Sequence, residues 1–94
     1  MGGGLWSARL PNIDRIGPFK VVIYFDDHEP AHVHVIHSSG CVAVFNISII
    51  GSLELREVRG NMKVNDVKRA LRLVQEKQAE YLKSWHNIHG GAHE

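Results

Sequence analysis

Residues 32–47 read HVHVIHSSGCVAVFNI, two runs rich in β-branched and aromatic residues on either side of a short polar turn. Such runs favour β-strands over helices. Gly40 can adopt the positive φ that a tight hairpin turn requires. We therefore predict an antiparallel hairpin whose strands run from His32 to His37 and from Cys41 to Ile47.

The position of the turn sets the register of this hairpin. If Ser39 and Gly40 form the centre of the turn, His34 lies opposite Phe45. Because side chains alternate between the two faces of a strand, His32 and His34 share one face. The register therefore predicts half-buried sheet positions for both imidazoles.

Two further extended segments flank the hairpin. Residues 19–25 (FKVVIYF) are mostly β-branched and aromatic, which predicts a strand. Segment 26–30 should form the turn that ends this strand, because Asp and Pro are turn formers. A shorter extended piece is predicted between Ile49 and Val58. The sheet should therefore contain three to four antiparallel strands.

The C-terminal third has the periodicity of an amphipathic helix. Asn65 is the predicted N-cap, and Gly90 and Gly91 should end the helix, which gives a helix over residues 65–89. The stripe of residues at spacings of three and four is apolar except for one glutamine: Val67, Ala70, Leu71, Val74, Gln78, Tyr81, Leu82 and Trp85. The predicted fold class is α+β, with this one long helix packed on one face of the sheet.

The length of 94 residues predicts a single domain. We divide it into a flexible arm at residues 1–10, a sheet region at 11–58, the helix at 65–89 and a tail at 90–94. A hydrophobic content of 44% with 22% charged residues excludes a disordered chain. A formal net charge of +1 gives no reason by itself to expect nucleic-acid or membrane binding.

The compartment is predicted from two features. Cys41 is the only cysteine in the sequence, which excludes an internal disulfide and favours a reducing cytoplasm. No apolar run approaches the ~18 residues needed to span a bilayer. We therefore expect a cytoplasmic protein without a membrane partner.

Residues 42–45 (VAVF) are apolar at every position, so their strand presents apolar side chains on both faces of the sheet. One helix can cover only one face. Either the N-terminal arm or a second subunit must cover the other, since large exposed apolar patches are uncommon on monomers. We predict a homodimer.

The candidate functional cluster consists of Asp27, His28, His32 and His34. The turn after the first strand should bring His28 near the other two imidazoles, and a divalent transition metal such as zinc, iron, nickel or copper suits this set. The predicted ligands are His28, His32 and His34. Two alternatives stay open: the histidines act as acid and base in metal-free phosphodiester cleavage, or they have a structural or partner-binding role. Separate carbonyl or carboxylate partners for each ring would favour the structural role.

A basic patch lies on the first turns of the predicted helix and consists of Lys68, Arg69 and Arg72. Such a patch can contact nucleic-acid phosphates. Neighbouring acidic residues, Glu57 and Asp66, dilute its charge, and the same pattern is typical of a solvent-exposed helix face. Nucleic-acid contact is therefore an alternative that the sequence leaves open.

Three segments together resemble a known family. They are Pro11 to Arg15 before an apolar strand, the motif Asp27-His28-Glu29-Pro30-Ala31-His32-Val33-His34, and a closing helix with Lys68 to Leu71 and Trp85. From Leu10 to Trp85 this pattern is similar to the small bacterial domain of unknown function DUF4160. The histidine motif is its most specific part, whereas the glycine-rich arm and segment 48–64 depart from it.

The resemblance implies a small cytoplasmic protein that is often encoded beside another small domain, in arrangements that look like toxin–antitoxin modules. It implies no established activity. We therefore expect a non-catalytic binding module of a two-protein system, with a small partner protein encoded nearby. The alternative is a small metal- or histidine-dependent hydrolase that acts on RNA through His28, His32 and His34.

Overall fold

The computed structural model describes residues 12–90, which form an antiparallel sheet followed by one helix. The elements are β1 (Asn12–Ile16), β2 (Phe19–Val22), β3 (His32–His37), β4 (Val42–Asn46), β5 (Glu54–Arg59) and α1 (Val64–Ile88). The strands lie side by side in chain order. The predicted α+β class with one C-terminal helix on an antiparallel sheet is confirmed, but the sheet has five strands instead of three to four. Within residues 12–90 no helix is long and apolar enough to cross a membrane.

The strand that the prediction lacks is β1, which pairs antiparallel with β2. Its sequence, NIDRI, carries only two apolar residues and is mostly exposed, so it has neither a continuous apolar run nor the alternation of a half-buried strand. The turn that joins it to β2 uses Gly17 at φ 56°. Pairing with the buried strand β2 therefore decides the conformation of β1, and local propensity does not.

The strand predicted over residues 19–25 ends earlier, at Val22. The backbone turns immediately afterwards, because the Asp27 carboxylate accepts a hydrogen bond from the Tyr24 N–H at 2.9 Å. The Asp27 N–H in turn donates to the Tyr24 carbonyl at 3.1 Å. Asp side chains commonly hold turns in this way, and this turn gives Asp27 a fixed position beside β3.

The register of the β3–β4 hairpin is one residue away from the prediction. His34 lies opposite Val44, and Phe45 lies opposite Val33. The turn is longer by one residue than expected, because the His37 N–H donates to the Cys41 carbonyl at 2.9 Å and three residues lie between them. A shift of one residue exchanges the two faces of a strand, so Phe45 faces the side opposite to His34.

The core lies between α1 and the face of the sheet that carries Phe45. Its sheet residues are fully or almost fully buried and come from the three inner strands and their ends: Phe19, Val21, Ile23, Val33, Val35, Ala43, Phe45 and Ile47. The helix contributes Ala70, Leu73, Val74, Tyr81 and Trp85. On the other face of the sheet, Val22 and Val44 are also buried, on either side of His34. The predicted arm at residues 1–10 and the tail from residue 91 lie outside the described residues.

The buried stripe of α1 keeps Ala70, Val74, Gln78, Tyr81 and Trp85 as predicted, but the predicted Val67 and Leu82 are only half-buried and the buried leucine is a different one. Leu73 is 9% exposed, whereas Leu71, which the prediction placed in the core, is 37% exposed. Lys77 and Tyr81 follow Leu73 at spacings of four on the same flank of α1, and both donate hydrogen bonds to the Asp14 carboxylate of β1, at 2.9 and 2.7 Å. This contact draws the flank that contains Leu73 onto the sheet.

Leu73→Ala should therefore lower the free energy of unfolding by about 2–4 kcal/mol, because truncation of a buried leucine removes packing and leaves a cavity. Leu71→Ala, the matched control on the same helix, should cost less than about 1.5 kcal/mol, because its side chain remains partly in water. Urea melts of the two variants and the parent chain measure both values. Equal midpoints for the two variants would contradict the burial of Leu73 in place of Leu71.

Candidate functional site

The candidate site lies where the turn after β2 meets the start of β3. His32 is the first residue of β3 and His34 follows two positions later on the same face. Asp27 approaches them from the turn that its own carboxylate stabilises. One ligand atom from each of these three residues lies within 4.8 Å of the other two.

The Asp27 carboxylate lies between the two imidazoles. Its Oδ1 atom is 3.4 Å from His32 Nε2, and its Oδ2 atom is 3.8 Å from His34 Nδ1. Aromatic rings enclose the pair: Trp85 of α1 packs against His32 with ring centroids 5.2 Å apart, and Tyr24 contacts His34 edge to face at 4.8 Å. The three polar side chains therefore converge in a nearly dry environment.

A hydrogen bond to the backbone determines which nitrogen of His32 is free. His32 Nδ1 lies 2.8 Å from the carbonyl oxygen of Pro30. A carbonyl only accepts, so Nδ1 carries a proton, and in the neutral ring the lone pair is on Nε2, which faces Asp27. A carbonyl partner of this kind was expected to indicate a structural role. Here the bond leaves the second nitrogen available, and a backbone carbonyl is the usual partner for the second nitrogen of a metal-binding histidine.

His34 differs from His32, because one of its ring nitrogens has no hydrogen-bond partner among the described residues. The residue is 6% exposed, and among the described residues its Nδ1 atom has no hydrogen-bond partner. Burial lowers the pKa of His34 below its ordinary value, although the negative charge of Asp27 opposes the effect. A neutral imidazole retains a lone pair, so His34 is in the protonation state that a metal ligand requires.

The geometry is close to that of a metal centre with two imidazole ligands and one carboxylate. Ligands at ~2.0–2.1 Å from a tetrahedral zinc ion lie about 3.3–3.4 Å from each other. The 3.4 Å separation of Asp27 Oδ1 and His32 Nε2 already matches this value. His34 Nδ1 lies 3.8 Å from Asp27 Oδ2, and the three ligand atoms lie within 4.8 Å of one another, so they must draw closer when a metal binds. Without a cation or a proton between them, the lone pair of His32 and the carboxylate of Asp27 repel each other.

Only part of the predicted cluster is brought together. His32, His34 and Asp27 converge, whereas His28 is exposed and does not belong to the group. The turn explains why Asp27 belongs to the cluster and His28 does not. The hydrogen bond from the Tyr24 N–H draws the Asp27 side chain toward the sheet, and the next residue, His28, points into solvent. The sequence signal for Asp27 was its place three residues after Tyr24, the spacing of a side chain that stabilises a turn.

The basic patch at Lys68, Arg69 and Arg72 is exposed on α1. Arg69 lies 4.0 Å from Asp66, which offsets part of its charge. These positions agree with a solvated helix face, and nucleic-acid contact there stays a prediction.

A polar contact that the sequence did not predict joins α1 to β1. Asp14 accepts hydrogen bonds from Tyr81 Oη and Lys77 Nζ. These two hydrogen bonds hold the pKa of Asp14 below its ordinary value, and the bond from Tyr81 has the larger effect. Burial and the Asp14 carboxylate raise the pKa of Tyr81 well above its ordinary value, so its hydroxyl remains a donor. The residues are 67 positions apart in the chain, and no local pattern reveals such a pair.

Comparison with known proteins agrees with the resemblance seen in the sequence. Residues 19–86 match the family described as Domain of unknown function (DUF4160). The match covers more than half of the chain, so the chain belongs to this family. It includes β2 to β5, most of α1 and all three residues of the Asp27–His32–His34 cluster. Searches of curated proteins and of solved structures gave no match.

Proposed function

We propose that this DUF4160 domain is a small binding module that holds one divalent transition-metal ion through Asp27, His32 and His34. The observation that carries the proposal is the buried Nδ1 atom of His34, which has no hydrogen-bond partner among residues 12–90 and is directed toward the Asp27 carboxylate. Leaving a buried polar atom unsatisfied costs free energy. A metal ion supplies the missing partner for this atom and for His32 Nε2 at once.

The donor set favours a transition metal over calcium or magnesium. Two imidazole nitrogens and one carboxylate oxygen suit zinc, iron, nickel or copper, whereas calcium and magnesium prefer oxygen ligands. Three protein ligands leave one coordination position for water or for a group from another molecule. The Pro30 carbonyl and the Tyr24 N–H orient two of the three ligands from outside the cluster.

Burial favours a binding module over a hydrolase. The side chains of His32, His34 and Asp27 are only 6%, 8% and 13% exposed, so a polymer such as RNA has little access to them. The specific observation in favour of the hydrolase is the open coordination position, because a zinc-bound water reaches a pKa of about 7 and can then act as a nucleophile. We therefore keep metal-assisted hydrolysis of a small substrate as the second candidate.

The module would serve a two-protein system of the toxin–antitoxin type in a bacterial cytoplasm, with a small partner encoded nearby. The family resemblance supports this part of the proposal. Co-expression with the neighbouring reading frame, followed by purification through a tag on one chain, tests it directly. Recovery of the two chains in equal amounts is the expected result.

Metal binding has a sharp test in a zinc titration monitored by thermal melting. The parent chain should retain about one equivalent of metal on elemental analysis. Zinc at 100 times the dissociation constant should add about 2.7 kcal/mol of stability, and a chelator should remove it. His34→Ala should abolish the response, since it removes a ligand without altering the surface.

His86→Ala is the matched control, because His86 is an exposed histidine of α1 outside the cluster. It should respond to zinc as the parent chain does. The same chelator response in the parent chain and in His34→Ala would overturn the proposed site, and a lost response in His86→Ala would move the metal to the surface of the helix.

A further inference from the structure

Strand β5 is an open edge of the sheet. It is the last strand in the order β1-β2-β3-β4-β5, and all six of its residues are exposed. Within the described residues, 12–90, no strand pairs with its outer side. An edge strand presents a row of N–H and C=O groups that can accept another strand.

The sequence of β5, ELREVR, is complementary to itself when read antiparallel. If two copies pair about a two-fold axis, Glu54 lies opposite Arg59 of the partner subunit, and Arg56 lies opposite Glu57 of the partner subunit. Leu55 then lies opposite Val58 of the partner subunit. Opposite charges and apolar pairs placed directly across two strands stabilise a sheet.

A bulge in β5 makes this register possible. Val44 pairs with Glu57 and Phe45 pairs with Leu55, so Arg56 is an extra residue without a partner on β4. In a regular strand, residues three apart lie on opposite faces, and directly opposed residues of an antiparallel pair must share a face. Because of the bulge, Leu55 and Val58 share a face: they lie opposite Phe45 and Ala43, which are both core residues.

The neighbouring registers are unfavourable, which gives the pairing its specificity. A shift of two positions one way places Glu54 opposite Glu57 of the partner subunit, and a shift of two the other way places Arg56 opposite Arg59 of the partner subunit. A shift of one position places Arg56 or Glu57 opposite its own copy. Like charges opposed in this way are destabilising, so one register stands out.

We propose that a second copy of this chain binds along β5, so that the two sheets join into one continuous antiparallel sheet with two-fold symmetry. Each Leu55 packs on Val58 of the partner subunit on the helix side, where these residues are now 43% and 39% exposed. Each Glu and Arg of the strand gains an opposite charge across the axis. The interface is isologous, as two-fold dimers require, and shares no residue with the proposed metal site.

Charge reversal at Arg56 tests the interface. Arg56→Glu places two glutamates opposite each other at both symmetry-related positions and should weaken the dimer about tenfold or more, as like charges replace opposite ones. The double variant Arg56→Glu/Glu57→Arg restores opposite charges across the axis with the order exchanged, and should restore the dimer. Lys83→Glu, a reversal at an exposed position of α1, is the matched control and should change nothing.

Sedimentation measures the outcome, with circular dichroism to verify that each variant is folded. The parent chain and Lys83→Glu should sediment at about twice the monomer mass of 10.6 kDa, Arg56→Glu near the monomer mass, and the double variant again as a dimer. A monomeric parent chain would overturn the proposal and show that the bulge and charges protect the edge. A dimer that Arg56→Glu leaves intact, or that the double variant does not restore, would overturn this interface and register.

Discussion

Trp85→Ala should lower the free energy of unfolding by about 3–5 kcal/mol, because it removes a large aromatic side chain from a packed interior. Trp85 is 1% exposed and belongs to the core between α1 and the sheet. Its ring packs on His32 at 5.2 Å and stacks on His89 at 3.9 Å. For a domain of this size the loss approaches the whole stability.

The position of Trp85 predicts a second effect of the same variant. The indole supports the imidazole of His32, so its removal should also weaken metal binding at the Asp27–His32–His34 cluster. Trp85→Phe keeps most of the packing and should lose less of both properties. Urea melts give the stability, and zinc titration of the folded fraction gives the affinity. A variant with unchanged zinc affinity but low stability would show that Trp85 serves the core alone.

Asp14→Asn should cost about 1–3 kcal/mol at neutral pH, since it weakens a charge-assisted contact between α1 and β1. The carboxylate accepts hydrogen bonds from Tyr81 Oη at 2.7 Å and from Lys77 Nζ at 2.9 Å. Asn at this position retains the shape of the side chain but not its charge. The substitution should therefore leave the fold intact and loosen the helix on its β1 flank.

The stability lost in Asp14→Asn should be largest near neutral pH and should decrease in acid. Tyr81 and Lys77 hold the pKa of Asp14 below its ordinary value of 3.8, so the folded chain favours the ionised form. The contribution is therefore fully present above about pH 4 to 5 and is lost as the pH falls through the folded pKa. The free-energy difference between the parent chain and Asp14→Asn should shrink between pH 5 and pH 3 in paired urea melts.

Tyr81→Phe separates the two donors. It removes the hydrogen bond that lowers the pKa of Asp14 most, so the acid-sensitive contribution should shift toward the ordinary pKa and become smaller. A difference between the parent chain and Asp14→Asn that is constant over the whole pH range would contradict an electrostatic origin.

Local sequence patterns correctly predicted the elements in which those patterns are pronounced, β3 and α1. The bounds predicted for one strand, His32 to His37, are those of β3, because this run of β-branched residues ends at a polar turn on one side and a proline-containing turn on the other. The helix predicted over residues 65–89 lies over Val64–Ile88. Its long apolar stripe defines both its type and its extent.

Features that depend on contacts between distant residues were not predictable in this way. β1 is a strand because β2 pairs with it. The burial of Leu73 in place of Leu71 follows from a contact between Asp14 and the helix. The register of the β3–β4 hairpin depends on one residue in its turn, and propensities do not resolve that difference.

The candidate site was likewise predictable only in part from the sequence. Strand alternation by itself determined that His32 and His34 share a face, because the side-chain period of a strand is independent of its surroundings. The third member of the cluster, Asp27 instead of His28, was decided only by the tertiary structure. A turn held by a side-chain hydrogen bond and packed beside β3 selects which of two adjacent residues points inward, and that selection depends on contacts that form only when the chain is folded.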